Sequence, residues 1–139
     1  MQFRSVPQRP LPDQESTDLE KALVYALERD AASIDILGAT GDRLDHTTGG
    51  LGCFKKFGRR AVLRLVDSAG TAELIRGTLT IAAVPGEKLS LIPLDRCTGV
   101  TTTNLLYPLH GEVLELGIRE GISNEAAAAS VTIAVGSGT

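Results

Sequence analysis

The first hydrophobic pattern in the chain has the spacing of an amphipathic helix. Leucine and alanine recur every three or four positions over residues 19–27, which places them along one helical face. Thr17 stands just before this stretch and Glu20 stands three positions later, which is the spacing of a capping box. The pattern predicts a helix that begins after Thr17 and ends near Arg29 or Asp30.

Short apolar stretches after this helix predict strands of an α/β unit. Residues 33–37 lead into a glycine-containing loop, and residues 60–66 alternate and include β-branched side chains. Residues 48–57 between them allow a helix, although their three glycines weaken that prediction. Residues 1–16 are proline-rich and polar, which predicts a loop with a short strand at residues 2–6.

The second half of the chain changes to regularly spaced short strands. Glycine and proline turns separate strand patterns at residues 72–75, 78–84, 89–94, 99–106, 112–116 and 130–135. This regularity predicts a β-sandwich or barrel. We therefore expect an α/β fragment over residues 1–67 and an all-β domain over residues 68–139. The α/β part has too few elements to cover both faces of a parallel sheet, which indicates a partner subunit or further N-terminal sequence.

Composition and charge exclude several function classes. The chain has 139 residues and a net charge of -3, so it lacks the basic footprint of a nucleic-acid-binding protein. No apolar stretch approaches the ~20 residues that span a bilayer, and the N-terminus lacks the apolar core of a signal peptide. Cytoplasmic residence follows as the expectation. Cys53 and Cys97 stand in no metal-binding pair and are expected to be free, at least partly buried thiols.

The segment DQESTDLE offers a first set of polar side chains at the predicted helix start. Gln14, Thr17 and Asp18 stand where free backbone N–H groups favour an anion and where a carboxylate can hold Mg²⁺. The alternative is purely structural, since Asp18 in the first turn also offsets the helix dipole.

The segment GATGDRLDHT follows the strand at residues 33–37 and carries a second set. Its glycines permit a tight turn or close approach to a ligand, and ligands of open α/β sheets bind beyond the carboxyl ends of strands. Arg43 suits phosphate oxygens, and Asp45 and His46 add an acceptor and a titratable donor. The alternative is a polar loop with an Arg43–Asp45 surface pair.

A third set lies in the all-β part, in GVTTTNLLYPL and GISNE. Tyr107 with Ser123 and Asn124 would suit a flat heteroaromatic ligand. The alternatives are that Tyr107 is a core or edge aromatic and that Ser123 and Asn124 form a turn.

From about residue 13 onward, the chain resembles the thiamine pyrophosphokinase (thiamine diphosphokinase) family. The resemblance rests on five ordered segments: STDLEKALVYALER, IDILGATGDRLDHT, GEKLSLIPL, GVTTTNLLYPL and GISNE. It implies a fragment of a Rossmann-like, ATP-binding catalytic domain followed by a β-sandwich that binds thiamine. It also implies transfer of pyrophosphate from ATP to the thiamine hydroxyl with release of AMP, a requirement for Mg²⁺, and a homodimer with sites shared between subunits.

The resemblance also implies roles for individual residues. Gln14, Thr17 and Asp18 would belong to the ATP and metal side, with Asp18 as the metal ligand. Arg43 and His46 would contact the nucleotide phosphates or the reacting hydroxyl, and Asp45 would accept the hydroxyl proton. The catalytic set would then be Asp18, Arg43 and Asp45. Tyr107 would pack on thiamine, and Ser123 and Asn124 would make polar contacts with it.

The chain departs from the family pattern in its catalytic half. An upstream GDxDS-type segment with metal-binding aspartates is not in this sequence, and Asp42 stands where the family has glycine. Thr48, Gly49 and Gly50 stand where the family carries an Ala-Asn pair. We therefore expect the C-terminal two-thirds of such an enzyme, inactive by itself. A non-catalytic thiamine- or nucleotide-binding module is the alternative, and a purely structural dimer is a third possibility.

Overall fold

The computed structural model describes residues 12–41 and 43–139. The predicted strand at residues 2–6 and Asp42 lie outside the described residues. The chain divides into two compact units between Ala72 and Glu73. The predicted domain boundary lies a few residues earlier, at residue 67, and stays a prediction. The described residues are mostly β-sheet with two helices.

The first unit contains a β-α-β arrangement. Its elements in chain order are α1 (Asp18–Leu27), β1 (Ser33–Leu37), α2 (Leu44–Phe57), β2 (Val62–Val66) and β3 (Thr71–Glu73). The three strands form one sheet in the order β1-β2-β3, and β1 pairs with β2 in parallel. A parallel pair needs a crossover connection, and α2 supplies it. This part therefore contains one parallel β-α-β unit, while its being a fragment of a Rossmann-like α/β domain stays a prediction.

The predicted capping box of α1 is confirmed. The Thr17 hydroxyl accepts a hydrogen bond from the Glu20 N–H at 3.2 Å, and the Glu20 carboxylate accepts one from the Thr17 N–H at 3.2 Å. The helix ends at Leu27, slightly earlier than predicted, because Asp30 has a left-handed backbone with φ of 57°. The Glu20 carboxylate also accepts a hydrogen bond from the Lys56 ammonium of α2 at 2.6 Å, which ties the start of α1 to the end of α2.

Helix α2 forms in spite of its three glycines. It runs for 14 residues, and Cys53, Phe54 and Phe57 are buried along one face. Each interior glycine costs about 1 kcal/mol relative to alanine, whereas each buried phenylalanine contributes about 1.5–3 kcal/mol. Burial in the folded unit therefore outweighs the poor local propensity.

The second unit is built from two antiparallel sheets. Its strands are β4 (Thr78–Ala82), β5 (Lys88–Leu91), β6 (Cys97–Thr103), β7 (His110–Leu114), β8 (Gly121–Glu125) and β9 (Ser130–Ala134). One sheet has the order β4-β9-β6-β7 and the other pairs β5 with β8. Alternate residues of β6 and β9, including Val100, Val131 and Ile133, are almost fully buried, and Leu91 of β5 joins them in one cluster. Both sheets thus contribute to one core, as a sandwich requires.

The prediction that Ser123 and Asn124 form a turn is wrong. Both residues lie in β8, which pairs antiparallel with β5. Ser123 has a left-handed φ of 57°, so the strand carries a local irregularity at this point. A serine–asparagine pair is common in turns, and only the pairing with β5 decides for a strand here.

Both cysteines are free and buried, which confirms the prediction for Cys53 and Cys97. Burial raises the pKa of each thiol, so both stay protonated at neutral pH. Within the described part of the chain, neither helix has the length and apolar character needed to cross a bilayer.

Gly138 is expected to be far less replaceable than Gly86. Both have a left-handed φ, 90° and 92°, so alanine costs about 1–2 kcal/mol at either site. A Cβ at Gly138 would also lie 2.7 Å from the Arg96 carbonyl oxygen, whereas no atom lies within 4 Å of one at Gly86. Urea unfolding of Gly138→Ala should show a further loss of about 1–3 kcal/mol beyond that of Gly86→Ala. Equal losses would contradict the close approach.

Candidate active site

A cleft of about 920 Å³ opens in the first unit at the carboxyl end of β1. Its lining comes from the segment before α1, the first turns of α1 and α2, and the glycine-containing loop after β1. Six predicted site residues line it: Gln14, Thr17, Asp18, Arg43, Asp45 and His46. The structure therefore brings together two segments that the sequence separates by more than twenty positions.

Parallel pairing explains where the cleft lies. Leu37 at the end of β1 is in register with Val66 at the end of β2, so the loops that follow both strands start from the same sheet edge. The loop after β1 turns through Gly38, whose φ is 71°, and then lines the cleft. Such an edge is where open α/β sheets bind their ligands.

Asp67 holds this loop and was not identified from the sequence. Its carboxylate accepts a hydrogen bond from the Thr40 hydroxyl at 2.8 Å and from the Ala69 and Gly70 N–H groups at 2.6 and 3.1 Å. These bonds, with that from Thr40 the largest cause, lower the pKa of Asp67. An aspartate placed directly after a predicted strand and followed by Ser-Ala-Gly was the available signal.

The first turn of α1 presents a carboxylate and an ammonium group to the cleft. The Asp18 side chain is fully exposed and lies 3.8 Å from the Lys21 ammonium. The Thr17 hydroxyl is already engaged in the capping box, so its structural role is established, whereas ligand contact stays a prediction. Gln14 is exposed on the segment just before the helix.

The first turn of α2 contains a bidentate ion pair. The Arg43 guanidinium donates from Nε to Asp45 Oδ1 at 3.1 Å and from Nη2 to Oδ2 at 2.5 Å. The Asp45 Oδ1 atom also accepts the His46 backbone N–H at 3.0 Å. The Arg43 guanidinium is the main cause that lowers the pKa of Asp45. The pair anticipated as the structural alternative therefore exists, and it lies within the cleft.

The two helix starts at the cleft provide a local electrostatic environment that favours an anion. Both helices begin with residues that line the cleft, so the positive ends of their dipoles lie at it. Among residues 12–41 and 43–139, no group of three or more histidine, cysteine, aspartate or glutamate side chains is arranged to hold a metal ion. The exposed Asp18 carboxylate fits Mg²⁺ that is held mainly by phosphate oxygens and water.

The third predicted set lies in the second unit. Tyr107 is 67% exposed, so it is not a core aromatic. Asn124 is only 7% exposed, and its side chain forms hydrogen bonds with the Tyr107 main chain. Ser123 is exposed, and its N–H donates to the Ser90 hydroxyl at 3.0 Å. Tyr107 and Asn124 are thus brought together, and their contact with a ligand stays a prediction.

A cleft at the ends of parallel strands, bordered by two helix starts, is typical of α/β proteins that bind phosphorylated ligands. Comparison with known families is more specific. Residues 2–65 match the family described as thiamin pyrophosphokinase, catalytic domain, and residues 78–139 match thiamin pyrophosphokinase, vitamin B1 binding domain. The two matched segments cover most of the sequence. The chain belongs to the thiamine pyrophosphokinase family.

Individual relatives agree with this assignment. The chain is 32% identical over 117 residues to the thiamine pyrophosphokinase of Bacillus subtilis strain 168, a match that covers 81% of this chain and 55% of the relative. The solved structure of the Bacillus subtilis enzyme superposes with a TM-score of 0.77 at 28% identity, over 91% of this chain and 61% of that one. The solved structure of the thiamin pyrophosphokinase from Geobacillus thermodenitrificans superposes with a TM-score of 0.76 at 29% identity, over 91% of this chain and 60% of that one. The sequence therefore spans little more than half the length of the curated relative.

The Thr40 hydroxyl is expected to account for much of the depressed pKa of Asp67. In Thr40→Val the midpoint of an NMR titration of the Asp67 carboxyl should rise toward its ordinary value of 3.8, while the Ala69 and Gly70 N–H groups keep it below that value. Because the folded pKa is lowered, the contribution of Asp67 to stability is complete above about pH 3.8 and is lost as the pH falls through the folded pKa. Thr47→Val, which removes a hydroxyl that donates to the Arg43 carbonyl, is the control and should leave the midpoint unchanged. An unchanged midpoint in Thr40→Val would show that the bond is absent in solution.

Proposed function

We propose that this chain carries the phosphate-binding and thiamine-binding parts of a thiamine pyrophosphokinase. The reaction would transfer pyrophosphate from ATP to the hydroxyl of thiamine and release AMP. The cleft carries this proposal, because it gathers Gln14, Thr17, Asp18, Arg43, Asp45 and His46 beside two helix starts. The family matches over both halves of the chain support it.

Arg43 would be the main cationic side chain for the ATP phosphates. Its guanidinium now pairs with Asp45, but the two side chains are 66% and 62% exposed. Exposed ion pairs contribute little to stability because water screens them, so a phosphate can displace the carboxylate at little cost. A planar guanidinium suits phosphate as well as carboxylate, since both accept two parallel hydrogen bonds. His46 and the N–H groups of the two helix starts would complete the phosphate contacts.

Asp45 would accept the hydrogen bond of the thiamine hydroxyl. While it is paired with Arg43, its lowered pKa keeps it ionised but makes it a weak base. Binding of phosphate to Arg43 would remove the main cause of that depression. Asp45 would then gain basicity at the stage when the reacting hydroxyl has to lose its proton.

Asp18 would hold Mg²⁺ that arrives with ATP. When bound, Mg²⁺ neutralises charge on the phosphate oxygens. Asp18 is free of the capping role that Thr17 fills, and its carboxylate is fully exposed at the cleft. Gln14 would add a neutral polar contact from the segment before the helix.

Tyr107, Ser123 and Asn124 would form the thiamine side. Thiamine carries a cationic thiazolium ring, and an exposed tyrosine ring offers a negative face to a cation. Ser123 and Asn124 lie in β8, and Asn124 contacts the main chain of Tyr107. We further propose a homodimer with its site shared between subunits, residence in the cytoplasm, and no turnover by this chain alone.

Binding measurements on matched variants test the two halves separately. In calorimetric titrations Tyr107→Ala should weaken thiamine binding about 2–30-fold, because a cation–π contact of about 0.5–2 kcal/mol is lost. Arg43→Ala should weaken binding of ATP with Mg²⁺ about 10–150-fold, from the loss of a charge-assisted contact of about 1.5–3 kcal/mol. Tyr25→Ala on α1 and Arg59→Ala beyond the end of α2 are the matched controls and should bind like the parent.

An assay of AMP release from ATP, Mg²⁺ and thiamine separates the competing functions. We expect binding without turnover for this chain, and robust turnover would contradict its proposed inactivity. Binding without turnover agrees equally with the non-catalytic module. A parent chain that binds neither ligand would contradict both proposals. A tight dimer whose melting temperature does not rise with either ligand would support a purely structural role, since a ligand that binds the native state must raise it.

A further inference from the structure

Asn124 is a buried polar residue whose hydrogen bonds go to one aromatic neighbour and its own strand. It is 7% exposed on β8. Its Oδ1 atom accepts the Tyr107 N–H at 3.1 Å, and its Nδ2 atom donates to the Tyr107 carbonyl at 2.7 Å. The Oδ1 atom also accepts the Glu125 N–H at 2.9 Å. The carboxamide therefore pairs with both main-chain polar groups of Tyr107.

These two hydrogen bonds take the place of the main-chain hydrogen bonds that a neighbouring strand would form with Tyr107. Tyr107 lies in the connection between β6, which ends at Thr103, and β7, which begins at His110. On one side of Tyr107, the Leu106 N–H donates to the Glu125 carbonyl at 2.8 Å. On the other side, the Leu109 N–H donates to the Thr102 hydroxyl at 2.9 Å. The Asn124 side chain fixes the residue between these two anchors.

A backbone irregularity in β8 accounts for the burial of the Asn124 side chain. Strict alternation along β8 would place Ile122 and Asn124 on the same face, yet Ile122 is 58% exposed and Asn124 is buried. The left-handed φ of Ser123, 57°, breaks the alternation between them. The Ser90 hydroxyl accepts the displaced Ser123 N–H, so the irregularity is itself hydrogen bonded.

We propose that Asn124 is a positioning residue that acts through Tyr107 and presents its ring to thiamine. This inference rests on the proposed function, in which the exposed ring of Tyr107 contacts thiamine. Asn124 Oδ1 already accepts two hydrogen bonds, from the Tyr107 and Glu125 N–H groups. The side chain therefore has a single N–H left to offer a ligand, and that group is on a buried amide. The polar contact to thiamine expected from Asn124 is replaced by an indirect role. Tyr107 keeps a fixed main chain and a free, 67% exposed ring.

A double-mutant cycle on thiamine affinity tests the proposal. Asn124→Ala should weaken thiamine binding in the parent chain, by at most the about 2–30-fold loss expected for Tyr107→Ala, because it acts only through that ring. In a Tyr107→Ala background, Asn124→Ala should cause no further loss, because the ring that it positions is gone. Independent, additive losses would show direct contact with thiamine and overturn the proposal, as would unchanged affinity in Asn124→Ala.

Two further variants separate positioning from general destabilisation. Asn124→Asp keeps the acceptor for the Tyr107 N–H but places a carboxylate oxygen against the Tyr107 carbonyl, so it should weaken thiamine binding as Asn124→Ala does. Asn104→Gly is the matched control. It removes an asparagine whose amide donates to the Ser130 carbonyl, at a φ of 62° that glycine accepts readily. The control should lower stability and leave thiamine affinity unchanged.

A readout that needs no ligand keeps the proposal testable if thiamine does not bind. The chain has no tryptophan and two tyrosines, so Tyr25→Phe leaves Tyr107 as its sole tyrosine. In that background Asn124→Ala should lower the fluorescence anisotropy and the near-ultraviolet circular dichroism of Tyr107. A parent chain that fails to bind thiamine would contradict the proposed function alone. Unchanged Tyr107 signals would overturn the positioning role.

Discussion

The parallel pairing of β1 with β2 is the constraint on which the cleft depends. It requires a crossover, and α2 in that crossover has to start from the edge where β1 ends. The loop after β1 therefore passes directly into a helix start, and the loop after β2 emerges beside it. The Thr40–Asp67 hydrogen bond then joins the two loops. Arg43 and Asp45 line the cleft because α2 starts at this edge of the sheet.

The second unit combines an exposed aromatic side chain with a fixed main chain. Tyr107 is exposed, and an exposed side chain gains little from packing that would fix its position. Here the buried carboxamide of Asn124 holds the main chain of Tyr107 by two hydrogen bonds. The ring is therefore exposed while its backbone is fixed. The loop after β1 is held in a comparable way, because the Thr40 hydroxyl donates a hydrogen bond to the Asp67 carboxylate just beyond β2. In both units, rigidity at the candidate site comes from side-chain bonds to loop atoms.

Features of local or strand-end origin could be predicted from the sequence. The capping box of Thr17 and Glu20 depends on four consecutive residues, and the grouping of Arg43, Asp45 and His46 follows from their place after a strand. The rest depends on distant partners. Thr40 and Asp67 are 27 positions apart, and Asn124 and Tyr107 are 17 apart, so no local pattern indicates either bond. The Ser-Asn sequence in β8 is typical of a turn, and the pairing with β5 makes it a strand. The glycines of α2 disfavour a helix, and burial of its phenylalanines stabilises it.

The Arg43–Asp45 pair has a consequence for the entropy of binding. A free arginine samples many rotamers, and ordering it on a ligand costs up to about 2 kcal/mol. Asp45 restricts Arg43 within the first turn of α2, so part of that loss would precede the binding of a phosphate. The carboxylate holds the planar guanidinium through two parallel hydrogen bonds, the same arrangement in which a guanidinium can bind two oxygens of a phosphate. The Arg43 guanidinium is thus already held in an orientation that would suit the proposed phosphorylated ligand.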